Sequence, residues 1–152
     1  MGIGQERKDE SDPMPPAHGR LKILIVDDSK TSRLALERIL APLGDCDLAG
    51  DGVDALKAFS LAWERGDPYH LICLDIMMPH LDGLQALKMI RTMEREMGIL
   101  KADGAKIIMI TSIENPLYVF EAYHRGGANA YLYKPIDMHK ILAELKRLEL
   151  IP

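Results

Sequence analysis

Five short apolar segments alternate along this chain with five longer segments in which apolar residues recur at helical spacing. The apolar segments span residues 21–26, 46–50, 70–75, 105–110 and 130–133. The first, third and fourth are nearly continuous apolar runs, which is typical of strands that are buried on both faces of a sheet. The pattern therefore predicts parallel strands covered by helices on both sides.

The longer segments carry the boundary signals of helices. They span residues 32–44, 51–66, 82–98, 115–127 and 137–150. Ser29 and Asn115 are expected to cap the first and fourth helices, and Gly66 and Gly126 to end the second and fourth. The spacing of apolar residues in the third helix predicts a buried stripe formed by Leu87, Ile90, Met93 and Met97.

The regular alternation of strands and helices predicts an α/β fold, namely a doubly wound, five-stranded parallel sheet with five helices. Residues 21–150 are expected to form one domain. Ligands of such folds bind outside the carboxyl ends of the strands. Residues 1–20 are rich in charge, proline and glycine, so we expect a disordered leader there.

The overall composition is that of an ordinary globular protein, with 47% hydrophobic and 28% charged residues. A formal net charge of −4 argues against a nucleic-acid-binding surface, which is usually basic. Neither a membrane-spanning apolar run nor a secretory signal is visible, and the two cysteines lack metal-binding spacing. We therefore expect a cytoplasmic protein.

Charged and hydroxyl side chains stand where four of the predicted strands end. Asp27 and Asp28 follow the first strand, Asp75 the third, Thr111 the fourth and Lys134 the fifth. Because parallel strands end at one edge of the sheet, these five residues are expected to converge in one crevice. Three carboxylates in a partly buried crevice repel one another and need a positive partner. Carboxylate oxygens are suitable ligands for Mg²⁺, and Lys134 supplies a second positive charge.

At this point the chain resembles the CheY-like receiver domains of two-component response regulators. The matching stretches are ILIVDDS, LICLDIMMPHLDG, IIMITS and GANAYLYKPID. The resemblance extends from Leu21 to about Leu150 and implies the strand order 2-1-3-4-5.

The resemblance also implies a role for each residue of the crevice. Asp75 would accept a phosphoryl group. Asp28, Asp75 and the backbone carbonyl of Met77 would hold Mg²⁺ directly, and Asp27 would act through a metal-bound water. Thr111 and Lys134 would each contact a phosphoryl oxygen. These expected site residues are Asp27, Asp28, Asp75, Met77, Thr111, Lys134 and the switch residue Tyr131.

The implied function is that of a phosphorylation switch. A sensor histidine kinase or a histidine phosphotransfer protein would donate the phosphoryl group. Thr111 would then move towards it, and Tyr131 would turn inward into the space left behind. The face formed by helix 4, strand 5 and helix 5 would change and act on an effector protein, with the chain a monomer or a weak dimer through that face. The sequence has no room for an output domain after the fifth helix, so a single-domain regulator is expected, in chemotaxis-like or phosphorelay signalling.

Three alternatives remain open from the residues alone. A flavodoxin-type FMN carrier shares the topology, but its phosphate loop would begin here with two acids. A haloacid-type phosphatase expects a second acid two residues after the nucleophile, where Met77 stands. A receiver-like binding module that has lost phosphorylation would be expected to lack one or more of the five crevice groups.

Two further features are not required by this chemistry. Residues 91–106 make the third helix and its following loop longer than in CheY, which we interpret as a surface elaboration or a partner contact. The five histidines have no convincing ligand spacing, so we expect them to lie at the surface.

Overall fold

The computed structural model describes residues 19–152 and shows a three-layer α/β sandwich. The strands are β1 (Leu21–Val26), β2 (Gly44–Ala49), β3 (Leu71–Leu74), β4 (Lys106–Thr111) and β5 (Ala130–Tyr133). All four strand pairs are parallel, and the order in the sheet is β2-β1-β3-β4-β5. The predicted fold and strand order are therefore confirmed. Most of the predicted leader, residues 1–18, lies outside the described residues.

Helices connect the strands in sequence. They are α1 (Lys30–Leu40), α2 (Gly52–Glu64), α3 (Gly83–Glu96), α4 (Pro116–Phe120) and α5 (Met138–Arg147). Ser29 and Asn115 cap α1 and α4 through their side chains, as predicted. None of the helices within residues 19–152 has the length and apolarity needed to cross a membrane.

Alternate residues of the strands point to opposite faces of the sheet, which produces two cores. Leu24 of β1 packs with Phe59 of α2 and Leu87 of α3 on one face. Ile23 of β1 packs with Leu36 of α1 on the other face, where α5 completes the layer. This double burial explains why the central strands read as continuous apolar runs.

The fourth helical segment differs from the regular helix that the sequence predicted. Its α-helical part ends at Phe120, and a π-helical segment follows over Glu121–Gly126. Gly127 then ends the segment with a φ of 80°, a left-handed conformation that glycine adopts without steric cost. Such wider helical turns are often found at functional sites.

The predicted inward orientation of Met97 is wrong. The residue follows the last turn of α3, and its side chain is 45% exposed because Gly98, with a φ of 76°, turns the chain away. Glu94 is buried instead, and it lies 2.7 Å from Nη1 of Arg91. A charged residue thus occupies a buried position of α3 that hydrophobic periodicity does not predict.

Candidate functional site: an acidic crevice at the carboxyl edge of the sheet

The three predicted acids lie together at the carboxyl edge of two adjacent strands. Asp27 follows β1 and Asp75 follows β3, and their backbone N–H groups continue the strand ladder by donating to Ala49 and Val26. One carboxylate oxygen each from Asp27, Asp28 and Asp75 lies within 4.8 Å of the other two. Asp27 and Asp75 are buried, whereas Asp28 is exposed.

Short local hydrogen bonds fix the two buried carboxylates. Oδ1 of Asp27 accepts the backbone N–H of Ser29 at 2.9 Å, and Oδ1 of Asp75 accepts the N–H of Ile76 at 2.7 Å. The second oxygen of each carboxylate faces Lys134. Nζ of Lys134 lies 2.7 Å from Oδ2 of Asp27 and 3.2 Å from Oδ2 of Asp75. One ammonium group therefore bridges the acids of two strands.

Lys134 reaches the acids from the edge strand of the sheet. It directly follows β5, its backbone N–H donates to the carbonyl of Thr111, and its bond to Pro135 is cis. Burial would lower the pKa of Lys134, but the hydrogen bond to Asp27 and the charge of Asp75 outweigh it and raise that pKa. The lysine is therefore charged at neutral pH.

The electrostatics of the crevice leave Asp75 with uncompensated repulsion. Burial, and then the charge of Asp27, raise the pKa of Asp75 above its usual value, and the opposing effects of Lys134 and Thr111 are smaller. Three carboxylates supply hard oxygen ligands around a common point, and a small divalent cation would relieve the repulsion among them. The donor set fits Mg²⁺ on these grounds.

The other predicted residues lie around this centre. Thr111 is buried at the end of β4, and its Oγ1 accepts the N–H of Ile113 at 3.4 Å. The side chain of Met77 is 62% exposed two residues beyond Asp75. Tyr131 is buried, and its hydroxyl donates to the carbonyl of Ile113 at 2.7 Å. The hydroxyl of Tyr131 is therefore tied to the loop that follows β4.

Sequence reasoning missed two contributors to the crevice. Nη1 of Arg33 donates to the backbone carbonyl of Asp27 at 2.6 Å and ties α1 to the end of β1. Gly83 lies so close to Asp75 that a Cβ atom there would collide with the Asp75 carbonyl. The sequence placed Gly83 at the start of the third helical segment, but the contact with Asp75 is visible only in three dimensions.

His80 lies beside the crevice in an unusual backbone conformation. Its φ is 68°, and its Nδ1 is 3.3 Å from Oδ2 of Asp51, the residue that caps α2. The side chain is 73% exposed, as expected for a surface histidine.

Similarity to known proteins agrees with the fold. Residues 23–146 match the family model of the response regulator receiver domain. A probable chemotaxis protein CheY of Rhizobium etli is 33% identical over 129 residues, which is 84% of this chain and 91% of that protein. The response regulator MprA of Mycobacterium avium is 33% identical over 132 residues.

The chain spans 50% of MprA and 9% of the yeast osmosensing histidine protein kinase SLN1, to which it is 31% identical. Among solved structures, the CheX-CheY-BeF3-Mg complex of Borrelia burgdorferi contains a chain with a TM-score of 0.72 and 26% identity, covering 84% of this chain and 88% of that one. The activated DrrB receiver domain, with a TM-score of 0.68, is also 26% identical and is matched over 97% of its length. The match over residues 23–146, together with the strand order, shows that this chain belongs to the response regulator receiver domain family.

Proposed function

We propose that Asp75 accepts a phosphoryl group from a phosphohistidine of a sensor histidine kinase or a histidine phosphotransfer protein. The observation that carries this proposal is the convergence of three carboxylates within 4.8 Å, two of them bridged by Lys134. Neither acid pairing nor capping alone requires this arrangement. It provides one nucleophile together with the positive charge that a transferring phosphoryl group needs.

Asp27, Asp28, Asp75 and the backbone carbonyl of Met77 would hold the metal. When bound, Mg²⁺ would neutralise charge on the phosphoryl oxygens and on the acids. Since Oδ1 of Asp75 already accepts the N–H of Ile76, we assign the attack on phosphorus to Oδ2.

The transfer forms a bond between phosphorus and Oδ2 of Asp75 and breaks the bond between phosphorus and the donor imidazole, which keeps the electron pair. Lys134, which already contacts Oδ2, would pair with a phosphoryl oxygen, and the hydroxyl of Thr111 would donate to another. The chain would thus catalyse only its own phosphorylation and dephosphorylation. It would act as a phosphorylated signalling protein, and not as an enzyme with a separate substrate.

Thr111 and Tyr131 would carry the signal from the crevice to the surface. The hydroxyl of Tyr131 holds the carbonyl of Ile113, so the position of the ring is coupled to the segment that follows Thr111. The face formed by α4, β5 and α5 carries exposed apolar side chains, which are Leu117, Tyr118, Phe120, Tyr133 and Met138. We assign the contact with a downstream effector, or with a second copy in a weak dimer, to this face.

The setting of this switch follows from the same features. We propose a cytoplasmic protein of chemotaxis-like or phosphorelay signalling that binds proteins and not nucleic acid. The net charge of −4 supports this choice of partner. The complex of CheX with CheY is a case in which a structural relative binds another protein.

Treatment with acetyl phosphate and Mg²⁺, followed by intact-mass measurement, tests the proposed acceptor. We expect wild type to gain the mass of one phosphoryl group and Asp75→Asn to gain none. Asp103→Asn is the matched control because that acid is exposed and lies outside the crevice, so it should be phosphorylated like wild type. A mass gain that persists in Asp75→Asn would assign the acceptor to another residue.

Thermal unfolding with and without Mg²⁺ tests the proposed metal ligands. A ligand that binds only the folded state raises the free energy of unfolding by about 2.7 kcal/mol at a hundredfold excess over its dissociation constant. We expect the midpoint of wild type to rise with Mg²⁺ and that of Asp28→Asn to rise much less. Asp103→Asn should respond like wild type, and an equal response of all three proteins would contradict the assignment.

A further inference from the structure

A second concave site lies between α3 and the π-helical segment, outside the acidic crevice. Its volume is about 340 Å³, within the roughly 300–1,000 Å³ typical of small-molecule sites. The walls come from the second half of α3, the loop that leads to β4, and the residues between α4 and β5. None of the residues proposed for phosphoryl transfer lines it.

The charged residues that line this cavity are strongly biased towards positive charge. The basic side chains are Arg91, Arg95, Lys101, Lys106 and Arg125. The acidic one is Glu94, and its carboxylate is already bound by Nη1 of Arg91 at 2.7 Å and by the N–H of Ala105 at 2.8 Å. A positive cavity on a chain with a net charge of −4 favours an anionic ligand.

The five basic side chains do not have equal roles. Arg91 donates to Glu94, Asn129 and two backbone carbonyls, so it builds the wall. Nε of Arg125 lies 3.4 Å from Oε1 of Glu121, so this arginine already has an acidic partner. Within residues 19–152, Arg95, Lys101 and Lys106 have no carboxylate within 4.0 Å, and Nη2 of Arg95 donates to Oγ1 of Thr92 at 3.1 Å. The charges of these three residues would therefore be available to a ligand.

The remaining walls indicate what kind of anion would fit. Tyr123 and His124 are lining residues with aromatic side chains, and the His124 ring also packs against Phe120, with 4.6 Å between the ring centroids. Gly104, Gly126 and Gly127 contribute backbone without side chains. Aromatic rings and guanidinium planes stack on the bases of nucleic acids and nucleotides, whereas lysine and arginine bind phosphate. A concave site of this volume is the size of a small-molecule site, which favours a small anion over an extended acidic peptide. We propose that this cavity binds a nucleotide, with its phosphates held by Arg95, Lys101 and Lys106.

Titration of the full chain with ADP in the presence of EDTA tests this proposal. Binding is measured by calorimetry and by changes in amide chemical shifts. EDTA removes metal from the acidic crevice, where an anion would then be repelled. We expect saturable binding, with shifts centred on Gly104, Gly126 and Gly127. Arg95→Gln combined with Lys101→Gln should weaken binding about tenfold or more, because each charged hydrogen bond contributes substantially to affinity.

Arg38→Gln combined with Lys57→Gln is the matched control. It removes the same charge from exposed positions outside the cavity and should leave ADP binding unchanged. Lys101→Gln alone should weaken binding in the same direction by a smaller factor. Adenosine should bind far more weakly than ADP.

Four outcomes would overturn the proposal. They are no saturable ADP binding, equal weakening by the control pair, inorganic pyrophosphate binding as tightly as ADP, or a glutamate-rich peptide binding more tightly than ADP.

Discussion

Two apolar residues each stand two positions after a residue of the acidic crevice. Met77 lies two residues beyond Asp75 and is 62% exposed, and Ile113 lies two residues beyond Thr111 and packs partly against the core. Neither side chain can hydrogen-bond a water that attacks the acyl phosphate. Both would instead restrict the access of water, so we expect a slowly decaying phosphorylated form.

Replacement of Met77 by Asn together with Ile113 by Glu is therefore expected to shorten the lifetime of phosphorylated Asp75. The backbone carbonyl of Ile113 that accepts the hydroxyl of Tyr131 is retained in this variant. Decay can be followed by mass after removal of acetyl phosphate. Met138→Asn, an exposed methionine on α5, is the control. Unchanged or slower decay in the double variant would contradict the shielding role.

At this scale the sequence predicted which residues would meet but not how they are held. Strand ends in a parallel sheet must converge, so Asp27, Asp75 and Lys134 could be brought together from the sequence. The sequence did not predict that one ammonium group contacts both acids. The role of Gly83 was also invisible, since it depends on a backbone approach between residues of different segments.

In α3, a charged pair occupies a buried position where apolar packing would be expected. Glu94 is buried, and it joins Arg91 of the same helix to the backbone of Ala105 just before β4. Gly104 allows this approach, since a Cβ there would lie 2.8 Å from the carboxylate. The pair therefore fastens the long loop after α3 to the sheet.

Glu94→Ala should lower the free energy of unfolding by about 3 kcal/mol, because it leaves the N–H of Ala105 without a partner and the charge of Arg91 without its carboxylate. Urea denaturation measures this loss. Glu96→Ala, at an exposed position in the same helix, should change stability by less than about 0.5 kcal/mol. Equal effects of the two substitutions would show that the buried pair does not hold the loop.

The helices and strands were predictable because their periodicity and caps are local properties. The errors arose where tertiary contacts decide the outcome. Glu94 looks like a surface residue until Arg91 and Ala105 are placed beside it, and Met97 lies beyond the last helical turn. The π-helical segment Glu121–Gly126 carries no periodic signal that separates it from an α-helix.

At the scale of the whole molecule, the acidic crevice has a cost in stability that depends on pH. Burial and the charge of Asp27 raise the pKa of Asp75 above 3.8 in the folded protein. Between the unfolded and folded pKa values the folded state binds more protons. The free energy of unfolding therefore falls as the pH rises through that interval.

In metal-free buffer we expect Asp75→Asn to be more stable than wild type at pH 7, with the difference shrinking as the pH falls through the raised folded-state pKa of Asp75 towards 3.8. Lys134 keeps Asp27 as its partner in this variant. Urea denaturation across a pH series measures the difference, with Asp103→Asn as the control. A lower stability of Asp75→Asn at pH 7 would show that the contact with Lys134 outweighs burial and repulsion.

The fold class followed from the alternation of strands and helices alone, because continuous apolar strands require cover on both faces. The order of the strands did not follow from that pattern and came from the resemblance to receiver domains. The order of strands in a sheet depends on which face each connecting helix crosses, and the spacing of apolar residues does not indicate that face.

β2 is one of the two edge strands, and among residues 19–152 it pairs with β1 alone. Its residues Asp45 and Asp47 are both exposed. An identical strand from another copy would bring these negative charges face to face, which opposes the edge-to-edge sheet extension that starts fibrous aggregation. We therefore expect the acids of β2 to oppose self-association at this edge of the sheet.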